Sequence, residues 1–450
     1  MPVPSTQTPS LRAGWYAVAI LQIAYISSFI DRQILSLLVG PMKRDMFLTD
    51  TQVSLLMGLS FALFYTFLGI PFGRLADRTN RRNLIIWGIS LWSLMTALCG
   101  IVGNYTQFFL ARMGVGVGEA TLSPAAYSML ADYFPKDKLA TAISIYSAGV
   151  FIGSGFAMLI GAVLVGALSN APAITLPVVG TVFAWQQIFF YVGLPGLLIA
   201  VLLLTVKEPA RQGLLTPTGE AVATPTVREV LRLIGRQRAA FFSVTLGITF
   251  VSLVSYGMAA WVPTFFVRTF NWPMAQAGLV FGIIITVFAT SGIILGGRLA
   301  DRFVRRGYTD GRLRVGLIAG GGTLLLSFHP LLNNTVVVVA VLAASSFFNA
   351  FALGASATAI QELMPNRARS LASAIFLFVL NLIAMGFGPT SVALLTDYVF
   401  QHERAVRYSL SIVIAAGSLL ALICYGFGLA PYRRALRVSE ERNIVSGVAS

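Results

Sequence analysis

The chain has 450 residues, of which 56% are hydrophobic and only 11% carry a charge. Soluble proteins carry about 25% charged residues, so this composition excludes a soluble globular protein and indicates a polytopic membrane protein. The net charge of +15 therefore does not predict nucleic-acid binding, because basic residues also anchor a membrane protein at the cytoplasmic leaflet.

Apolar runs of about 20 residues, the length of a membrane-spanning helix, recur along the chain and predict an all-α membrane protein. Twelve spans are predicted, at 14–40, 51–72, 84–103, 106–131, 139–168, 185–206, 240–267, 275–297, 314–332, 335–360, 369–396 and 406–430. Most Lys and Arg residues fall between spans on one side. The positive-inside rule therefore places both termini in the cytoplasm, in a multi-pass protein of the cell inner membrane.

The longest polar stretch, residues 207–239, separates six predicted spans from six. It predicts a cytoplasmic linker with one amphipathic helix near 226–237 lying on the membrane face. The domains expected on either side are an N-terminal six-helix bundle at 1–206 and a C-terminal six-helix bundle at 240–450.

Two segments of the N-terminal half return in the C-terminal half. GRLADRTNRR (73–82) recurs 224 residues later as GRLADRFVRR (297–306), and ADYFPKDKLATAIS (131–144) is echoed by QELMPNRARSLASA (361–374). A repeat at about half the chain length indicates duplication. Parallel six-span repeats are one of the plans on which transporters are built.

With these motifs the sequence resembles the major facilitator superfamily along its whole length. The stretch from Gly73 to Arg82 matches the loop motif of that superfamily, with Asn80 in place of the usual glycine. The adjacent Asp31 and Arg32 and the span ARMGVGVGEATLSPAA (111–126) resemble the Spinster family. That resemblance implies lipid-like substrates such as lysophospholipids and sphingosine phosphates.

Four charged residues lie well inside the predicted spans, away from the span ends, and all are in the N-terminal half: Asp31, Arg32, Arg112 and Glu119. Each would cost about 2.5–3.5 kcal/mol facing lipid, so they are expected to face a cavity or one another. A rise of about 1.5 Å per residue puts Asp31 and Arg112 about 13 and 9 Å below the outer surface, and Glu119 about 20 Å. Asp31 is therefore predicted to pair with Arg112. The alternative is an ion-pair network that only fixes helix packing.

These charges suit the binding of an anionic headgroup and of protons. Arg112 and Arg32 are expected to bind substrate, since a guanidinium is planar and stays charged. Glu119 is expected to be the main proton carrier, because burial at mid-depth disfavours a charged carboxylate. Asp31, beside Arg112, is expected to remain ionised more readily and to act as the second acid.

The predicted C-terminal spans carry no charge away from their ends, and their binding candidates are neutral. These candidates are Tyr256, Thr286, Thr290, Asn349 and Asn381. Each taken singly is explained as well by a packing role, since hydroxyls and amides bond between membrane helices. Taken together, a charged half and a neutral, aromatic-rich half suit an amphiphile.

The duplicated loops predict a cytoplasmic gate. Asp77 and Asp301 are expected to accept hydrogen bonds from a helix N-terminus in the opposite half. Two ion pairs are expected beside them, Arg81 with Asp132 and Arg305 with Glu362. Simple anchoring by the positive-inside rule is the alternative.

The leading hypothesis is a monomeric, proton-coupled secondary transporter of amphiphilic lipid-like molecules that works by alternating access. A proton-linked exporter of drugs or small organic anions is the alternative, and a channel or passive scramblase is a third possibility. The sequence shows no nucleophile–base set. Its two cysteines and two histidines provide neither a disulfide framework nor metal-ligand spacing, so no enzyme activity, metal or cofactor is predicted.

Overall fold

A computed structural model describes residues 10–168, 171–177, 180–211, 226–365 and 368–445. Nearly all of these residues are helical. The chain divides into two compact units, Met1–Ala223 with Pro273–Gly282 and Thr224–Trp272 with Ile283–Ser450. Part of the predicted linker, residues 212–225, lies outside the described residues, and the predicted bundle boundaries stay a prediction.

The first half of the chain is a series of helices that ends in a small hairpin and one more helix. A 3-10 turn, Ile34–Leu37, follows the first helix. The helices are α1 (Leu11–Gln33), α2 (Val39–Met46), α3 (Asp50–Met57), α4 (Leu59–Arg78), α5 (Arg81–Cys99), α6 (Tyr105–Glu119), α7 (Leu122–Tyr133), α8 (Lys136–Leu168) and α9 (Ala184–Leu203).

The hairpin joins α8 to α9 and was not predicted. Its strands, β1 (Ile174–Leu176) and β2 (Gly180–Val182), pair antiparallel with Ile174 opposite Val182. Strands of three residues are too short to show a recognisable alternation of apolar and polar residues in the sequence.

The second half contains longer helices with three π-helical interruptions, Ile285–Ala289, Asn381–Met385 and Leu395–Phe400. Short 3-10 turns lie at His329–Leu331 and Glu403–Ala405. The helices are α10 (Val227–Arg236), α11 (Arg238–Phe270), α12 (Met274–Ile284), α13 (Thr290–Arg305), α14 (Gly311–Leu325), α15 (Thr335–Ala350), α16 (Ala352–Leu363), α17 (Arg369–Leu380), α18 (Gly386–Leu394) and α19 (Val406–Val445).

Among the described residues, ten helical stretches are long and apolar enough to cross a membrane. The predicted spans 106–131 and 314–332 are not among them. The first is divided into α6 and α7, and the second corresponds to α14, which has 15 residues. The all-helical membrane fold is therefore confirmed, while the count of twelve spans and the orientation of the termini stay predictions.

The break between α6 and α7 has a local cause. Pro124 lies in the first turn of α7, where it has no N–H to donate to the carbonyl of Ala120 four residues earlier. The α-helix therefore ends at Glu119 and restarts at Leu122. This break places the Glu119 carboxylate at a helix end, in the interior of the first unit.

Asn80, the departure from the usual loop motif, has a structural role. It is the N-cap of α5, and its side-chain oxygen accepts a hydrogen bond of 2.9 Å from the Asn83 N–H. Asparagine is among the best N-cap residues. The replacement therefore starts α5 at Arg81, which positions the arginine discussed below.

Glycines in α5 and α6 let the two helices approach closely. A Cβ added at Gly118 would lie 2.6 Å from the carbonyl oxygen of Gly88 and 2.7 Å from the amide nitrogen of Trp92. Both are backbone atoms that cannot rotate away. The glycine-rich string in α6 therefore serves helix packing.

Gly118→Ala is expected to destabilise the first unit by about 1–3 kcal/mol, because the added methyl group overpacks a backbone contact. The measurement is the melting temperature of the purified protein in detergent. Gly69→Ala is the matched control, since a Cβ there meets nothing within 4 Å. Equal melting temperatures for the two variants would show that α5 and α6 are not in close contact.

Candidate functional site

Arg32 and Glu119 form a buried ion pair between α1 and the end of α6. The Arg32 Nε donates to Glu119 Oε2 at 2.6 Å, and Arg32 Nη2 lies 2.5 Å from the same oxygen. The Glu119 side chain is fully buried, whereas the Arg32 side chain keeps 13% of its surface exposed. This pair was not predicted, because helical rise fixes the depth of a residue but not where a long side chain reaches.

Aromatic rings surround the Arg32 guanidinium. Its carbon lies 4.9 Å from the ring centre of Phe29, 4.6 Å from that of Phe61 and 4.7 Å from that of Tyr65. A cation is attracted to the face of an aromatic ring within about 6 Å. Phe61 and Tyr65 are four residues apart on α4, which places both rings on one face of the helix. That spacing is the sequence feature that could have predicted an aromatic contact surface here.

Arg112 is completely buried and bonds to backbone carbonyls. Its Nη1 donates to the Asp31 carbonyl oxygen at 3.2 Å, and its Nε donates to the Leu56 carbonyl oxygen at 3.4 Å. The predicted proximity of Asp31 and Arg112 is therefore confirmed. The predicted pairing of the two side chains is wrong, because the guanidinium binds the main chain of α1 in place of the carboxylate.

The Asp31 carboxylate lies beside this arginine without a hydrogen bond. Asp31 is 1% exposed, and neither of its carboxylate oxygens has a hydrogen-bond partner among the described residues. Oε1 of Glu119 and Nη2 of Arg112 are also left without partners there. The four intramembrane charges thus form one cluster, in which one ion pair is made and one carboxylate is left unsatisfied.

Arg81 is the centre of a second buried network, at the start of α5. It forms an ion pair with Asp132 at the end of α7, and its Nε donates to Glu208 Oε1 at 2.7 Å. It also donates to the carbonyl oxygens of Ser128 and Pro209 at 3.0 and 2.9 Å. The predicted Arg81–Asp132 pair is confirmed, and Glu208 is a further partner of Arg81 that was not predicted.

In the second unit the predicted Arg305–Glu362 pair is wrong. Arg305 is exposed on the last turn of α13, and Glu362 is bound by Arg312, whose Nη2 lies 2.6 Å from Oε1. The Tyr432 hydroxyl donates to the other carboxylate oxygen of Glu362 at 2.7 Å.

The reason is a longer connection in the second repeat. In the first unit α5 begins at Arg81, inside the motif, whereas in the second unit α13 continues to Arg305 and α14 begins only at Gly311. The arginine in the first turn of the following helix is therefore Arg312. It takes the structural position that Arg81 has in the first unit.

The acidic residues of the two loop motifs are both exposed. Asp77 lies on the last turn of α4, and Asp301 lies on α13 with its carboxylate 3.6 Å from Arg312 Nη1. An exposed ion pair of that length contributes little to stability. The predicted hydrogen bonds of these two acids with the opposite half stay predictions.

The neutral candidates of the second unit fall into two groups. Asn349 is buried and bonded, since its Nδ2 donates to the Val251 carbonyl oxygen at 3.2 Å and its Oδ1 accepts from the Ser255 hydroxyl. The others are half-buried, and two of them lie in π-helical turns, a feature that sequence does not reveal and that is frequent at functional sites. These residues are Tyr256 on α11, Thr286 and Asn381 in π turns, and Thr290 at the start of α13.

Comparison with known proteins agrees with this architecture. The family model of the Major Facilitator Superfamily matches residues 21–389. An "MFS-type efflux pump" of Mycolicibacterium smegmatis is 29% identical over 94% of each chain. "Protein spinster homolog 1" of Xenopus tropicalis is 29% identical over 71% of this chain, and the match spans 60% of that protein.

A solved structure is also similar. The crystal structure of a bacterial homolog to the human lysosomal transporter Spinster, in an inward-facing and unoccupied conformation, has a TM-score of 0.77 and 26% identity, covering 94% of this chain and 98% of that one. These relatives are transporters and not enzymes, which confirms the predicted class of protein. The chain belongs to the major facilitator superfamily, resembles its Spinster members, and is a multi-pass transporter of the cell inner membrane.

Proposed function

We propose that this transporter moves amphiphilic, lipid-like molecules of the lysophospholipid or sphingosine-phosphate type by alternating access, coupled to protons, as a monomer. The observation that carries the proposal is the Arg32–Glu119 ion pair next to the unsatisfied Asp31 carboxylate. Intramembrane ionisable groups are expensive to bury and are usually functional.

Arg32 is the residue that meets the headgroup first. Of the four clustered charges, its side chain alone retains substantial exposed surface, while Asp31, Arg112 and Glu119 are 1% exposed or less. A phosphate oxygen forms strong charge-assisted hydrogen bonds with a guanidinium. A phosphate headgroup would therefore compete with Glu119 for Arg32, and Arg112 would join it once the cluster opens.

The same competition provides proton coupling. The two acids take up protons in the reverse of the order that the sequence suggests. Glu119 is held by Arg32, whereas the Asp31 carboxylate has no hydrogen-bond partner. An unpaired buried charge is costly, so a proton that reaches the cluster neutralises Asp31 first. Glu119 takes its proton when a headgroup displaces it from Arg32.

The second unit contains neutral candidates for substrate binding. Tyr256, Thr286, Thr290 and Asn381 are half-buried and are assigned to substrate binding. Asn349 is also a candidate, but a substrate would have to replace its bonds to α11. The networks around Arg81 with Asp132, and around Arg312 with Glu362 and Asp301, are assigned to the cytoplasmic gate, together with Asp77 and Arg305.

The test is transport by the purified protein in liposomes, with a lysophospholipid, a sugar and a cationic drug offered separately with and without a pH gradient. Uptake of the lysophospholipid is expected to saturate and to rise at least tenfold when the gradient is imposed. Arg32→Lys is the matched variant, because it keeps the charge but loses the planar guanidinium, and it should raise KM with little change in maximal rate. Sugar uptake without lysolipid uptake would refute the proposal.

A proton-linked exporter of drugs or small organic anions is the second candidate. It is favoured by the match to the Mycolicibacterium smegmatis efflux pump over 94% of each chain. The two candidates differ in competition: a lysolipid should inhibit drug flux at micromolar concentration if the site is built for amphiphiles. Drug flux that is insensitive to lysolipid would favour the exporter.

A further inference from the structure

A basic cleft lies at the junction of α10, α11 and α19, within the second unit and away from the transport cluster. Its volume is 490 Å³, and its walls include Arg236, Arg238 and Arg434. We infer that this cleft binds the headgroup of an anionic phospholipid from the cytoplasmic leaflet.

Among the described side chains, no acid neutralises the charge of the cleft. All three arginines are exposed, and none of them pairs with a carboxylate among the side chains that the structure describes. The nearby acid of α10, Glu229, is occupied with capping the helix, because its carboxylate accepts from the Thr226 N–H at 3.0 Å. A basic recess between membrane helices on this side of a membrane is suited to a phosphate headgroup.

A glycine lines the cleft. A Cβ added at Gly235 would meet nothing within 4 Å, so a larger residue at this position could extend into the open space of the cleft. Gln237, between α10 and α11, also leaves its side-chain oxygen without a partner among the described residues. That oxygen can accept a hydrogen bond from a hydroxyl of a glycerol headgroup.

The apolar surface beside the cleft argues for a lipid and against a free phosphate. Phe242, one turn after Arg238 on α11, is 44% exposed, and Phe427, one turn before Pro431 on α19, is 78% exposed. Both residues lie one turn farther from the predicted cytoplasmic end of their helices than the cleft residues Arg238 and Pro431. A headgroup in the cleft would thus continue into acyl chains that lie along exposed phenylalanines.

The occupant would tie the amphipathic helix to the bundle. Val230 and Ile234 of α10 are buried against the second unit, whereas Leu231 and Val227 are 51% and 45% exposed. A helix with one apolar face in the protein and another left open suits the membrane interface. An anionic lipid that bridges α10 and α19 would stabilise this arrangement.

The test is native mass spectrometry of the purified full-length protein titrated with dioleoyl phosphatidylglycerol, with dioleoyl phosphatidylcholine as the neutral reference. The anionic lipid is expected to bind at least tenfold more tightly. Each basic residue near an anionic headgroup contributes about 1 kcal/mol, so the triple variant Arg236→Gln, Arg238→Gln, Arg434→Gln is expected to lose this preference and to bind the two lipids about equally.

Two further variants separate a site from a general effect of charge. Gly235→Leu keeps all three arginines but fills the cleft, and it should weaken phosphatidylglycerol binding at least fivefold. The triple variant Arg298→Gln, Arg302→Gln, Arg306→Gln removes the same charge from exposed positions on and directly after α13 and should bind like the wild type.

Three results would overturn the inference. One is wild-type affinity in the cleft triple variant, and another is an equal loss in the α13 triple variant. The third is full displacement of the lipid by glycerol phosphate at tenfold excess, because it would show that the acyl chains add nothing. A melting temperature measured without lipid checks that each variant is folded.

Discussion

Glu119→Gln is expected to lower the free energy of unfolding by about 3 kcal/mol and to reduce lysophospholipid transport at least tenfold. The glutamine leaves Arg32 without its carboxylate, and breaking one side of a buried ion pair costs about 3–5 kcal/mol. The lower figure applies because Arg32 keeps its aromatic neighbours and some exposed surface. Melting temperature in detergent and flux in liposomes are the two measurements.

Asp31→Asn is the matched comparison for that variant. Asparagine has the size and neutrality of a protonated aspartate, and the Asp31 carboxylate has no hydrogen bond to lose. Stability is therefore expected to stay within about 1 kcal/mol of the wild type, while the response of transport to a pH gradient disappears. If Asp31→Asn retains that response and Glu119→Gln is as stable as the wild type, the cluster does not work as proposed.

Arg81→Gln is expected to destabilise the first unit by about 3 kcal/mol, because it leaves the carboxylates of Asp132 and Glu208 without their shared cation. The lower end of the usual range is expected, since the Glu208 side chain is 22% exposed. The measurement is again the melting temperature. Transport should fall as well if this network is part of the gate.

Arg305→Gln is the control for Arg81, since the two arginines hold the same place in the repeated motif. Arg305 is exposed, so its replacement is expected to change stability by no more than about 0.5 kcal/mol. Arg312→Gln should reproduce the effect of Arg81→Gln in the second unit. Equal losses of stability in Arg305→Gln and Arg81→Gln would mean that Arg305, as the sequence offset suggests, is the structural counterpart of Arg81. Arg312 would then not be that counterpart.

Arg305 and Arg312 show that a sequence repeat does not by itself identify structurally equivalent residues. Residues 73–82 and 297–306 are nearly identical, but they do not occupy the same element, because the first run ends one helix and begins the next while the second remains in α13. A local motif does not report the length of the connection that follows it. The prediction that Asp132 and Glu362 form ion pairs was correct. Each is bonded to the arginine in the first turn of the helix that follows the loop motif of its unit.

The composition and order of residues determined the class of protein, its helical spans, the duplication and the four charges that had to be sheltered from lipid, because hydropathy and insertion cost are properties of residues in sequence. The tertiary structure decided which of those charges pair. The depth of a residue along a helix follows from counting residues. Its bonding partner depends on helix rotation and on side-chain reach, as the bonds of Arg32 to Glu119 and of Arg112 to a main-chain carbonyl show. Those are set by packing between helices, which no single segment encodes.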